Sequence, residues 1–203
     1  MSAPVPDVDR SVPFDEAVSA LMDLLRRRED GSSDRWRRQG ALVVVDGPTG
    51  AGKTTLAHSL VGALARGNAS YGARVLELEA VVPGWDGLAE GTKTWRKISR
   101  NLRKGKPASY REWDWHADAP GPKHTINPAQ ETVIICEGVG AITGTCDVRI
   151  VVKAPNELRY RRAIDRDGET YRPHWERWAA QEEALFAAYS ATYAQADIIY
   201  RTA

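Results

Sequence analysis

Three features of the sequence predict a three-layer α/β/α fold, with a mostly parallel five-stranded sheet covered by helices on both faces. Ala41 to Asp46 is a short β-branched apolar run that passes directly into a glycine-rich loop and then a helical period, as a strand buried on both faces does. Strand-like and helix-like segments alternate through most of the remaining chain, which calls for parallel strands joined by right-handed crossovers. The 203 residues suit one compact domain able to bury a sizeable core without staples.

Residues 1 to about 13 are rich in Pro and Ser and offer few packing anchors, so a loose tail is expected. Phe14 to Glu29 reads as a helix, with Ala17, Val18, Leu21, Leu24 and Leu25 at three- and four-residue spacing. Asp15 and Glu16 at its start and Arg26 to Arg28 at its end suit the helix dipole. Docking on the sheet and pairing with a second copy as a homo-oligomer are both open to this helix, and residues 1–38 are set apart from a main domain over 39–203. After the Ala41 strand comes a helix from Thr54 to Arg66, stopped by Gly67-Asn68, and a strand from Arg74 to about Glu79, together one βαβ unit. Further strands are expected at Thr132 to Glu137, Val148 to Lys153 and Ala196 to Tyr200. Helices are expected at Asn156 to about Arg166 and roughly His174 to Tyr193. Residues 83–128 interrupt the alternation with a helix, Thr92 to Arg103, and an aromatic stretch that suits a hairpin; this placement marks a lid or substrate insertion.

Composition narrows the function classes. Lys plus Arg number 28 against 27 Asp plus Glu, so net charge is +1 and the whole chain has no drive toward nucleic acid or an anionic membrane. Hydrophobic residues make up 42%, yet no apolar run approaches the roughly 18 residues of a membrane span. The two cysteines, Cys136 and Cys146, lack Cys-x-x-Cys spacing, and the four histidines share no metal-ligand spacing. Pro4, Pro6 and two aspartates stand where a signal peptide would be basic and then apolar. A reducing, cytoplasmic setting is expected.

Gly47, Pro48, Thr49, Gly50, Ala51, Gly52, Lys53 and Thr54, followed by Thr55, satisfy G-x-x-x-x-G-K-S/T between a strand and a helix. The glycines allow successive backbone N–H groups to point inward around a phosphate, and the helix N-terminus adds partial positive charge. Lys53 is expected on the β and γ phosphates of ATP and the Thr54 hydroxyl on Mg2+. Val133 to Glu137 ends an apolar run in a carboxylate, so Glu137 is a second candidate metal ligand. Capping a nearby backbone or pairing with Lys53 is its structural alternative.

Together with Tyr110 to Trp115 and Arg159 to Asp167, these residues resemble the uridine kinase-like group of P-loop small-molecule kinases, especially its shorter bacterial members. The likeness runs over about residues 40 to 200. It implies a P-loop NTPase fold, ATP and Mg2+ as cofactors, and a small-molecule phosphoryl acceptor, a nucleoside first. It also implies an arginine-rich lid helix, whose spaced arginines match Arg162 and Arg166; four residues apart, they share one helix face and can neutralise charge on the transferred phosphoryl oxygens. Interleaved Glu157, Asp165 and Asp167 also fit a solvated, salt-bridged helix. Where the family carries the aspartate that serves as general base, this chain has Glu79, whose extra methylene moves the carboxylate by more than about an ångström. Trp113, Asp114 and the preceding Tyr110 resemble the segment that contacts the nucleoside, and Trp85 and Asp86 are expected at the same mouth. Tryptophans packed beneath a lid are the alternative.

Lys93, Arg96, Lys97, Arg100, Arg103 and Lys104 form a basic helical stripe, which fits a nucleic-acid surface and, more commonly, a solvated face. The leading reading is therefore a kinase moving the γ-phosphoryl of ATP to a small-molecule hydroxyl. Two alternatives are an ATP-binding regulatory protein without turnover and a polynucleotide-end kinase. No Asn-Lys-x-Asp motif reads guanine after the fourth strand.

Overall fold

The computed structural model describes residues 11–31, 39–67, 72–128 and 133–202. Among these, β1 (Ser11–Val12), β2 (Ala41–Asp46), β3 (Ala73–Glu77), β6 (Val133–Glu137), β7 (Val148–Lys153) and β8 (Ile198–Arg201) form one sheet in the order β1-β8-β7-β2-β6-β3. Every pairing in it is parallel. The strands at its centre are the continuous apolar runs: all residues of β2 and β6 are buried, whereas edge strand β3 carries Arg74 and Glu77. β4 (Ala108–Asp114) and β5 (Ala119–Ile126) make a separate antiparallel hairpin inside the insertion.

Each face of the sheet has its own core. On one, Leu42, Val44, Ile134 and Cys136 pack with Trp95, Ile98 and Leu102 of α3 (Leu88–Leu102) and with Trp178 of α5 (Trp175–Ala188). On the other, Val43, Val45, Ile135 and Ile150 meet Leu56, Leu60 and Leu64 of α2 (Lys53–Gly67) and Ala17, Leu21 and Leu25 of α1 (Phe14–Gly31). The alternation of β2 and β6 residues between these cores is the period of two that a strand imposes. α1 thus spends its apolar face on the sheet, the first of the two roles open to it.

Four departures from expectation have local causes. Ser11 and Val12 are not loose: they pair with Ile199 and Tyr200 at the outer edge of β8 and extend five expected strands to six. β3 stops at Glu77, and Leu78–Val81 form a 3-10 turn, because a three-residue spacing puts Leu78 and Val81 on one face and buries both. Glu77 and Glu79 therefore do not share a strand face. α3 begins at Leu88, four residues earlier than expected, so that Leu88 also enters the core. The long C-terminal helix breaks at Tyr189, whose φ of −112° and ψ of 19° are not helical, leaving α5 and α6 (Ser190–Tyr193). α4 (Asn156–Asp167) follows β7 as expected. Among the described residues no helix is long and apolar enough to cross a membrane.

Candidate active site

Strand order places the site. Because β6 lies beside β2, with Val45 opposite Glu137, the end of the second strand brings its carboxylate to the glycine-rich loop that leaves the first. That loop is held tightly. Gly47 has φ of 146° and an added Cβ there would stand 2.2 Å from the Val152 carbonyl oxygen; at Gly50 it would stand 2.2 Å from that of Arg159. Beneath the loop, the fully buried Asp46 carboxylate accepts hydrogen bonds from the amides of Gly47 (2.6 Å), Gly140 (3.1 Å) and Ile142 (2.8 Å). Burial pushes its pKa up to about 6 against the opposing pull of these amides and Lys53. Asp46 thereby ties the phosphate loop to the turn that follows Glu137.

At the loop's exit, the Thr54 hydroxyl donates to Glu137 Oε1 at 2.8 Å, and the Lys53 ammonium donates to the Pro48 carbonyl at 3.1 Å. Burial raises the Glu137 pKa, while Lys53 and the Thr54 hydroxyl act the other way. Two hard oxygen ligands side by side, next to a glycine-rich loop, fit Mg2+, which keeps several waters or phosphate oxygens in its shell and needs few protein ligands. No cluster of three or more His, Cys, Asp or Glu groups suited to a metal occurs among the described residues.

One cleft joins Lys53, Thr54 and Glu137 to Glu79, Trp85 and Arg166. The Glu79 side chain reaches solvent through the mouth of the cleft although protein crowds it on most sides. Partial desolvation raises its pKa, Arg166 and Lys53 lower it, and Glu137 raises it. Arg166 is held by a two-pronged pair with Asp167, whose hydrogen bonds raise its pKa. Beyond Glu79 the walls are apolar and aromatic: Leu78, Val82, Leu88, Trp115, Tyr171 and Trp178. Trp85 stacks on His174 at 4.2 Å and meets Trp115 edge-on at 5.1 Å, so packing holds its ring in place.

Not every predicted residue reaches this cleft. Arg162 lines a second cavity on the other side of the loop, with Gly52, Thr55, Phe14, Tyr200 and Thr202. Its guanidinium donates to the Thr202 hydroxyl at 2.8 Å, and that hydroxyl donates to the Ala51 carbonyl at 3.0 Å. Four residues of helix advance about 6 Å along the axis, and α4 lies across the loop at Gly50, so Arg162 and Arg166 end on opposite sides. Asp86 pairs at the surface with Arg177. Tyr110 is half-buried against His124 in the hairpin, its pKa raised by burial. Asp114 is fully exposed and accepts the His116 and Ala117 amides, which lower its pKa, so it builds the hairpin turn. Trp113 packs near Gly84, whereas Trp115, just beyond the end of β4 at Asp114, lies in the cleft.

Sequence reasoning missed Glu182. Only 3% exposed, it accepts the Thr49 amide at 2.8 Å and the Trp178 indole N–H at 3.0 Å, and pairs with Arg159 at 3.1 Å. Its signal was present: Glu182 interrupts the apolar stripe Trp178, Leu185, Tyr189 four residues after the tryptophan. A lone carboxylate on a core-facing stripe needs a buried partner. Asp46 had a similar signal, a strand ending in a carboxylate directly before the glycine loop.

No protein-family model and no curated protein matches the chain. Solved structures do. A protein of Silicibacter sp. TM1040 provisionally named a fructose transport system kinase is similar with a TM-score of 0.59 at 17% identity, over 94% of this chain and all (100%) of its own. A Bacillus stearothermophilus protein provisionally named a uridine kinase is similar with a TM-score of 0.54 at 17% identity, over 79% of this chain and 88% of its own. At such identity the likeness establishes the fold alone, the three-layer α/β/α arrangement that the chain shares with these two structures.

Proposed function

We propose, from the premise of this shared fold, that the protein transfers the γ-phosphoryl group of Mg-ATP to a hydroxyl of a small molecule, with a nucleoside as the first acceptor class. The observation that carries the reading is the meeting of Lys53, the Thr54–Glu137 pair, Arg166 and Glu79 in one cleft. Residues 39–203 would form the catalytic unit, the 83–128 insertion would close the acceptor end, and the cytoplasm would supply ATP.

In this reading the loop amides and Lys53 hold the triphosphate, and Thr54 and Glu137 hold Mg2+, which supplies positive charge to the phosphate oxygens. The acceptor enters from the aromatic end. Its hydroxyl oxygen attacks the γ-phosphorus, the bond to the β–γ bridging oxygen breaks, and ADP leaves. Glu79 takes the hydroxyl proton; partial desolvation raises its proton affinity above that of an ordinary glutamate, which suits a general base. Arg166 neutralises charge on the transferring oxygens, and Asp167 keeps its guanidinium aimed. Walls of Trp85, Trp115 and Trp178 exclude competing water. The Trp115 indole N–H has no partner among the described residues and is a donor ready for an acceptor oxygen.

The basic helical stripe gives weaker support to a polynucleotide acceptor. Arg103 pairs with Asp147 at 2.9 Å with both side chains largely buried, and Arg96 donates to Tyr189, so the stripe is split.

Transfer of labelled γ-phosphate from Mg-ATP to a panel of nucleosides and small alcohols, beside Lys53→Ala, tests the proposal. Acceptor-dependent transfer lost in the variant is the expected result. ATP binding without transfer to any acceptor would favour the ATP-gated regulatory protein instead.

A further inference from the structure

Resting on the reading of the loop as an ATP site, we propose that the N-terminal edge strand completes the pocket for the nucleotide's base, with Phe14 contacting the base. The first turn of α2 separates the two cavities: Lys53 and Thr54 line the cleft with Glu79, while their neighbours Gly52 and Thr55 line the second cavity. A phosphate chain bound along the loop therefore has its reacting end over Lys53 and its other end directed at Gly52 and Thr55. The cavity found there is lined on its far side by residues outside the P-loop motif, Tyr200 and Thr202 at the end of β8 and Pro13 and Phe14 after β1.

Parallel pairing of Val12 with Tyr200 brings the N-terminal segment to the C-terminal edge of the sheet, the edge from which the phosphate loop also leaves. Pro13 ends the strand and α1 starts at once, which fixes Phe14 at the cavity with its ring half-buried against the α1–α2 side of the core. Across the same space stands the Arg162 guanidinium, steadied by Thr202, which also holds the Ala51 carbonyl of the loop. An aromatic ring and a guanidinium plane on one cavity are surfaces suited to a flat heterocyclic base, which both can contact through their faces. β1 has only two residues at the outer edge of the sheet, where Val12 and Phe14 pack against the rim of the core.

Equilibrium binding of Mg-ATP and of inorganic tripolyphosphate to the full chain tests the assignment, in the wild type, Phe14→Leu and Phe14→Trp. Phe14→Leu keeps an apolar side chain and should weaken ATP about tenfold, with tripolyphosphate affinity unchanged and Phe14→Trp restoring ATP. Unchanged ATP affinity in Phe14→Leu, or equal weakening of both ligands, overturns the proposal. A wild type that binds tripolyphosphate as tightly as ATP also overturns it, yet leaves the phosphate site standing. A wild type that binds neither removes the ATP reading itself.

Discussion

The backbone amide of Thr49, in the phosphate loop, donates to Glu182 Oε1 at 2.8 Å across 133 residues of sequence. The same carboxylate pairs with Arg159 at 3.1 Å, and Arg159 Nε returns to the Thr49 carbonyl at 2.9 Å. The loop, α4 and α5 are thereby joined in one closed ring of charge-assisted bonds. Burial lowers the Arg159 pKa while Glu182 raises it, so the guanidinium depends on its partner.

Glu182→Gln leaves that guanidinium largely buried without its counter-charge. A loss of about 3 kcal/mol of stability is expected, together with weaker ATP binding as Thr49 loosens. Urea unfolding and ATP titration check this; a variant with wild-type stability would show that the ring is not a structural clamp.

Glu79→Gln should lower kcat by about a hundredfold or more while leaving ATP affinity nearly unchanged, because the amide cannot take the acceptor proton. Partial desolvation by the crowding protein holds the Glu79 pKa above the ordinary 4.5, and the base works only when ionised, so kcat should fall as pH drops through that raised value. Steady-state kinetics against pH provide the measurement. Wild-type turnover in the variant would remove Glu79 from the mechanism.

Thr54→Val and Glu137→Gln should each raise the Mg2+ concentration needed for half-maximal rate by about tenfold, and Thr54→Ser should restore it. ATP binding in the absence of metal should change little. Equal Mg2+ requirements in all four proteins would leave the Thr54–Glu137 pair a purely structural contact.

Asp46 ties stability to pH. With a native pKa of about 6 against an ordinary 3.8, the folded protein holds a proton that the unfolded chain has lost between those values. Stability therefore falls as pH rises from about 4 through 6, by up to about 3 kcal/mol from this group, and is flat above. Glu137 and Glu79, also raised, act in the same direction. Unfolding free energies at pH 4.5 to 7.5 should show the decline, and Asp46→Asn should flatten much of it; an unaltered slope in that variant would assign the decline elsewhere.

Local pattern was enough for the elements that carry one period and one partner. β2, β6 and β7 were legible because strands buried on both faces are continuous β-branched runs, and the phosphate loop because its glycines, lysine and threonine must be contiguous to surround a phosphate. Glu137 followed from the same logic, as a carboxylate ending a buried strand. The sequence did not reveal which side of the loop each arginine of α4 would reach, since that depends on how a helix crosses the loop at Gly50. Nor could it choose Trp115 over Trp113, because an unbroken strand would put both on one face, and β4 instead ends at Asp114, between them.

By itself, then, the sequence determined a parallel α/β sandwich with a glycine-rich loop between β2 and α2, because period and contiguous motif are properties of neighbouring residues. The tertiary structure alone decided that β1 joins β8, that Glu79 faces Arg166 and Lys53, and that Glu182 holds Thr49. These are meetings of residues far apart in the chain, and they depend on how helices and strand edges pack, which no local pattern specifies.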